Sequence, residues 1–470
     1  MTSPSSVPAP HLSVSAGAAR NLATATVTAV QNSETTPRWL HRLLPWIDVA
    51  GGVYRVNRRK LVVGGAGLVA TEGHGDAARI VAESLRSIPI FAALDAETLE
   101  ALAARFKARH HDAGAELPAV GGTHRTLVVV AEGSVELFGI GPYGGRLRER
   151  LVGTGGFYGE RGLVDEAGGP ASAARALSAV TVLTLDHGAL ADAPALGAAV
   201  AAAAAARTAL EADANIYGES KIDLLAGHTG EPLLPTTFVD YADHPREYHL
   251  STIQTVLHTH TRITDLYSNQ IDQLREQVRL TVEAVKEREE WELINNPDFG
   301  LLHEVAPGFR VPTRSGAPTP DDLDELIALV WKKPAFFLAH PKAIAAFGRE
   351  ATRRGVPPAT VNLFGSPFIT WRGIPLVPSD KVPIVRRNGV ETTSILLLRV
   401  GEGEQGVVGL QKAGVTGEVE PGLSVRYSGT NEHSIASHLV TRYFSAAVLI
   451  DDAIARLDDV LIGQYHDYKY

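Results

Sequence analysis

The chain has no cysteine in 470 residues. That absence excludes disulfides, thiolate metal sites, cysteine nucleophiles and iron–sulfur clusters together, and it suits a reducing compartment. Methionine occurs once, at the first position. A surplus of positive charge is also missing: 44 Lys and Arg against 53 Asp and Glu leave a net charge of −9. A nucleic-acid binder normally carries a basic surplus, so no nucleic-acid partner is expected. Long apolar runs are absent too. The longest spans 198–206, nine residues of Ala and Val, against about 20 needed to cross a bilayer. It reads as an Ala-rich helix, and no membrane partner is expected. No basic n-region or apolar h-region opens the chain, so the expectation is a cytoplasmic protein without a secretory signal. What is present, 45% hydrophobic and 21% charged residues, is ordinary globular composition. The length calls for two or three domains.

Residues 1–36 are rich in Ser, Thr, Ala and Pro, with Arg20 and Glu34 their only charged side chains. Such a segment cannot order itself; it is a flexible N-terminal arm, or one that orders against a partner. From Pro37 the text changes, with two Trp and three Leu within ten residues. Val53 to Lys60 alternates apolar and polar residues, which is strand-like. Its four basic residues, Arg55, Arg58, Arg59 and Lys60, are of a kind that can bind phosphate, but such a run is more often a solvated or interface face. A Gly/Ala connector from Gly64 to Asp76 ends this first part, 37–76.

Residues 77–213 then read as a self-contained unit. It opens with a helix, continues in short Gly-punctuated strands (Thr126 to Val130, Gly133 to Phe138, Val180 to Leu185), and closes with the Ala-rich helix. This pattern argues for a small β-barrel or jelly roll flanked by helices. From 214 to 470 the character shifts again. Gly218 to His249 is irregular. A helical region is expected from about Leu250, with a long helix over about 270–294 marked by Ile271, Leu274, Val278, Val282 and Val285. Beyond Thr319 helical and strand patterns alternate: Pro320 to Lys332 and Pro341 to Arg354 as helices, Ser394 to Val400 and Gly406 to Gln411 as strands, His438 to Leu461 mixed. The class is α+β or α/β.

The most specific local text is Leu151-Val-Gly-Thr-Gly-Gly-Phe-Tyr-Gly-Glu160, with Leu85-x-x-Ile-Pro-Ile-Phe91, Gly114-x-x-Leu117 and Ala131-Glu-Gly-Ser-Val135 upstream. Together these resemble a cyclic nucleotide-binding domain. In that family a short turn after the glycines offers N–H groups to the cyclic phosphate, a Glu accepts from the ribose hydroxyl, and an Arg about ten residues on neutralises the phosphate. Tyr158, Gly159 and Glu160 match the first half. The second half departs from the pattern: the Arg position falls on Pro170, followed by Ala171 and Ser172, and the nearest basic residues are Arg161 and Arg175. The resemblance therefore implies a degenerate pocket that takes cyclic AMP weakly or not at all. A missing charge-assisted pair costs about 1.5–3 kcal/mol, or roughly ten- to a hundredfold in affinity. No cofactor is required.

Other clusters carry less. His258-x-His260 would share a face only on a strand, and no third metal ligand stands nearby. His110-His111 reads as solvated, between a helix and a turn. Asp451-Asp452 and Asp458-Asp459, seven apart, read as one solvated helix face. No metal site and no catalytic set emerges.

The text on either side of the 77–213 unit carries a second resemblance. Leu22-Ala-Thr-Ala-Thr26, Arg38-Trp-Leu40, Leu44-Pro-Trp46, Gly51-Gly-Val-Tyr-Arg-Val-Asn-Arg-Arg59, the helix text Arg279 to Asn296 and Arg442-Tyr-Phe-Ser-Ala-Ala-Val-Leu-Ile-Asp-Asp-Ala-Ile-Ala-Arg456 look like the family 2 encapsulins. With the inserted cyclic nucleotide-like unit, the combination is similar to family 2B. The resemblance implies the Hong Kong 97-type major-capsid fold of tailed phages. Its parts would be an extended loop at about 218–249, a spine helix at about 270–294 and an axial domain at about 320–445. It also implies a non-catalytic icosahedral shell built from copies of this chain. The implied cargo is a terpene cyclase or a polyprenyl-transferring enzyme. The competing reading is a soluble cyclic-nucleotide-responsive regulator without shell assembly, which should carry a basic helix-turn-helix after the ligand domain.

Overall fold

The computed structural model describes residues 14–24, 26–121, 124–164, 172–387 and 389–465. Outside the inserted unit, two sheets and one long helix organise the chain. The first sheet has six strands and is built on Ile435–Val448. One edge of that strand pairs with Ser251–His260 and then, end to end, with Val407–Gln411. Its other edge pairs with Leu423–Thr430. Trp46–Asp48 joins in parallel beside Val407–Gln411, which ties the residues after the N-terminal arm to the far end of the chain.

The spine helix, Gln273–Asn295, runs 23 residues, about 35 Å at 1.5 Å per residue. Asp272 caps it by accepting from the Arg275 N–H, and the helix stops one residue before the Asn296-Pro297 step. Val282 and Val285 of the expected stripe lie on Leu423 and Val440 of the sheet. Leu274 is left largely exposed, and Ile271 precedes the helix.

The second sheet has eight strands, drawn from 310–461. Its centre, Phe336–Ala339, Val390–Leu398 and Ile454–Leu461, is covered on both faces, which is why 395–398 reads as an unbroken apolar run. Phe337, Ile395, Leu397 and Leu457 face helices Pro320–Leu329 and Pro341–Arg353. Phe336, Leu338, Leu396 and Leu398 face the other way, into the core shared with Trp39, Leu40 and Phe444.

The inserted unit has its own core. Two four-stranded antiparallel sheets form a small roll. One contains Thr126–Glu132 and Val180–Asp186, the other Val135–Ile140 and Ser172–Ala176. Val128, Val130 and Val182 meet Val135, Leu137 and Ala174 between them. Leu127, Val129, Leu183 and Leu185, on the other face of the first sheet, lie under Phe91, Leu99, Leu102, Val200 and Ala204. The last two belong to the closing helix Pro194–Ala212, longer than the nine-residue apolar stretch. By length and composition alone this one helix is long enough to cross a bilayer.

Three expectations are corrected. The region after Leu250 opens with a strand, not a helix: Ser251–His260 is rich in β-branched Thr, Ile and Val and pairs along its whole length. His110 and His111 lie on the strand Lys107–His111, because Val180–Asp186 pairs with it. The aspartate pairs are not a solvated helix face. Asp452 is buried in an ion pair with Arg399 and a second, 2.7 Å pair with Lys332, and Asp458 and Asp459 sit on Ile454–Leu461. A seven-residue spacing gathers side chains only on a helix, and here sheet pairing with Val390–Leu398 decides the local structure.

Candidate functional site

The cassette turn begins where Phe157 and Tyr158 pair with Val129 and Val128. Gly159 follows at φ +85°, and a Cβ there would stand 2.3 Å from the Thr126 carbonyl oxygen, so only glycine fits. A single tight turn, Glu160–Leu163, comes next. The carbonyls at its end are engaged by Arg125 and by His187 Nδ1, 2.9 Å from Leu163 O. Tyr158 is buried inside the roll with no hydrogen-bond partner for its hydroxyl among the described residues, and burial pushes its phenol well above the usual range. Glu160 is half-buried, and no described residue donates to it.

The phosphate half is not assembled by these residues. Arg161 is exposed and leans away to Glu211 of the closing helix, at 3.3 Å. Arg175 lies on the outer face of its sheet, 3.2 Å from Glu136. Glu136 is buried and also holds Arg146 (2.7 Å) and Arg148 (2.5 Å). Burial opposes its charge, but these three guanidiniums outweigh that and hold its carboxyl below the usual range. Ser172 is buried and donates to Glu149 at 2.7 Å, which places a carboxylate rather than a cation beside it. Pro170 and Ala171 lie outside the described residues.

A second set of contacts joins the arm to the spine helix. The Val30 N–H donates to Glu276 (3.1 Å), and Arg279 donates back to the Val30 carbonyl (2.9 Å). Thr36 donates its N–H (2.7 Å) and its hydroxyl (2.9 Å) to Glu287. Arg38 bridges Glu283 and Glu287 at 2.6 and 2.8 Å. Further on, the His41 N–H and the Ser379 hydroxyl donate to Glu290 at 3.3 and 3.0 Å. Arg442 pairs with the fully buried Glu289 at 2.7 Å. Their acidities diverge. Burial opposes the charge on Glu287, yet the donors Lys381 and Thr36 outweigh it and hold the carboxyl low. Burial dominates at Glu290 and lifts it to about 7, and burial with the nearby Arg442 drops His41 to about 3. Sequence reading missed this ladder because its partners stand far apart, about 250 positions for the contacts of Val30, Thr36, Arg38 and His41, 89 for Ser379 and 153 for Arg442. The one available signal was the density of Glu on a helix whose apolar stripe is narrow.

The irregular segment is anchored at its base and open at its tip. Arg246–His249 pairs with Val53–Val56. The basic run finds carboxylates on all sides: Arg55 with Glu247 (2.6 Å), Arg58 with Asp451 (2.8 Å), Arg59 with Glu219 (2.8 Å) and Lys60 with Asp243 (2.8 Å). The run is thus occupied by ion pairs within the chain. Between those anchors Leu224, Leu233 and Phe238 are 83%, 98% and 89% exposed. All three are large apolar side chains carried on one segment without regular structure. His258 and His260 lie on one strand but gather no third ligand, and no group of three metal-binding side chains occurs among the described residues.

The family described as Type 2A encapsulin shell protein SrpI-like matches residues 207–464. The chain is 64% identical to the Type 2A encapsulin shell protein SrpI of Synechococcus elongatus over 251 residues, 53% of this chain and 81% of that protein. It is 59% identical to a Type 2A encapsulin shell protein of Mycobacterium leprae over 244 residues, 52% and 78% of the two chains. Among solved structures, the cryo-EM structure of the holo-SrpI encapsulin complex from Synechococcus elongatus is similar at a TM-score of 0.55 and 39% identity. That similarity spans 98% of this chain and all of the other.

Proposed function

Since the chain belongs to the SrpI-like family of encapsulin shell proteins, it is a structural protein rather than an enzyme, and we propose that its copies close into a hollow cytoplasmic nanocompartment around a cargo enzyme. The observation that carries this reading is the family match over 207–464 joined to the exposed row Leu224, Leu233, Phe238. In the shell these side chains leave water against a neighbouring copy. Such a head-to-tail contact, repeated by a closing symmetry, builds rings and then a closed surface. The arm lies along the spine helix and stiffens it. The spine helix, the eight-stranded axial sheet and the extended segment are the parts that a phage-capsid-type fold requires.

The relatives bear Type 2A names, and their family match leaves residues 1–206 uncovered. The roll lies in that part. A cyclic nucleotide-binding-like unit inserted into an encapsulin chain supports assignment to the 2B subtype. The roll binds cyclic AMP weakly or not at all, because Arg161 and Arg175 are both drawn to carboxylates away from the cassette. Its role is then regulatory only through a different ligand, or else confined to assembly. The cargo is a terpenoid-forming enzyme, a reading that rests on the family 2B resemblance alone.

Negative-stain microscopy of purified protein tests the shell. Closed, hollow, uniform particles are expected without cargo, and a monomer or dimer at micromolar concentration across ordinary salt would overturn it. Co-expression with a terpene cyclase tests the cargo: co-elution with the particles supports it, and exclusion from them removes it.

A further inference from the structure

A cleft of about 790 Å³ runs between the roll and the shell part. The roll lines it with Arg150, Gly153, Thr154 and Gly156, the shell part with Arg310, Arg456 and Ser394. The walls touch at its rim. A Cβ added to Gly153 would stand 3.1 Å from the Pro312 side chain.

The charges in the cleft are unevenly matched. Arg456 has Asp458 at 2.6 Å, and Glu325 is held by Arg314. Asp459 also lines the cleft and has a partner of its own. Arg310 donates only to carbonyls, Val305 O at 2.9 Å and His303 O at 3.3 Å. Arg150 donates only to Phe157 O at 2.9 Å. Neither has a carboxylate partner among the described residues. Arg310 is half-buried, and burial with the neighbouring Arg456 holds its pKa below the ordinary value against the opposing pull of Asp458, a carboxylate already paired with Arg456.

We propose that this cleft is an anion site for a small phosphorylated metabolite, recognised jointly by Arg150 of the roll and Arg310 of the shell part. The volume falls in the range of small-molecule pockets, about 300–1,000 Å³. A guanidinium fork matches phosphate oxygens two at a time. A ligand held from both sides would pin the roll to the shell, a link that the cassette itself does not supply. The inference goes beyond the shell reading and stands on the geometry of one chain, so particle formation is scored separately.

Calorimetry of the full-length protein with inorganic pyrophosphate tests it. One site per chain is expected, weakened at least about tenfold by Arg150→Gln and by Arg310→Gln. Arg372→Gln, an exposed arginine elsewhere on the shell part, should leave binding unchanged. Arg310 also holds two carbonyls, so Arg310→Gln is read only if its melting temperature is preserved; the exposed Arg150 decides otherwise. Pyrophosphate should raise the melting temperature of the wild type and fail to do so for Arg150→Gln. No binding by the wild type at millimolar pyrophosphate overturns the proposal, and so does binding that Arg150→Gln leaves intact, which would be an adventitious ion only.

Discussion

The spine helix and the cassette turn both place glutamates where a partner is needed, and they differ in who answers. On the spine, Glu276, Glu287, Glu289 and Glu290 are buried and met by donors from the arm, the sheet and the axial region. At the cassette, Glu160 is half-buried without a donor among the described residues, and the two arginines nearest to Pro170 in sequence are committed to Glu211 and Glu136. A contact completed within the chain is structural and hard to remove without unfolding. At the cassette the nearby charges are taken up elsewhere while the backbone turn is kept.

The largest effect is expected from Arg442→Ala, which would leave the fully buried Glu289 without its ion pair. Breaking one half of such a pair typically costs about 3–5 kcal/mol, so thermal melting should fall steeply and particle yield collapse. Replacing both partners together, as Glu289→Gln with Arg442→Met, should restore much of the loss. Equal instability of the double variant would show that the pair is not what matters.

Two carboxylates on the same helix should titrate with opposite sign. Glu290 is raised to about 7 by burial, so the folded state holds its proton more tightly than the unfolded chain does. Its contribution is full below about 4.5 and is lost as pH rises toward 7, on the order of 3 kcal/mol. Glu287 is lowered, so its contribution is present at neutral pH and lost as pH falls. Denaturant titrations at pH 5 and pH 8 check this. Glu290→Gln should narrow the gap between the two pH values, and an unchanged gap would exclude Glu290 as its source.

A smaller loss, about 1–3 kcal/mol, is expected for Glu287→Ala, because Thr36, Arg38 and Lys381 all lose an acceptor. Limited proteolysis should then cut ahead of residue 38 faster than in the wild type. An unchanged cleavage rate would mean that the arm is held by other contacts.

On the cassette side, Pro170→Arg should tighten cyclic AMP binding by at least about tenfold, as one charge-assisted pair supplies more than about 1.4 kcal/mol. Calorimetry on the full chain decides it, and sub-micromolar binding by the wild type would show that another cation serves the phosphate. The smallest effect on the shell is expected from removing residues 77–211 and rejoining the ends. The roll buries its own apolar side chains in cores separate from those of the two shell sheets. Particles should still form, and failure across several junctions would show that the roll is part of the shell's foundation.

The spine helix was legible to within three residues at its start, because an apolar stripe, an aspartate cap and the Asn-Pro stop are all local signals. So were the strands Thr126–Glu132 and Val180–Asp186. The strand Ser251–His260 was not. Beside a strong helical pattern its short β-branched run is ambiguous, and its pairing with Ile435–Val448 resolves it. The fate of the charged residues was equally hidden. By itself the sequence determined which residues are apolar, where helices start and stop, and that no thiol chemistry is possible, since each depends on neighbours a few positions away. Only the tertiary structure decided that Glu276 receives Val30 from 246 positions away, that Asp452 is buried, and that Arg150 and Arg310 share a cleft with no direct ion pair to a carboxylate among the described residues. Electrostatic partners are chosen by distance in space, and a linear text carries no record of that distance.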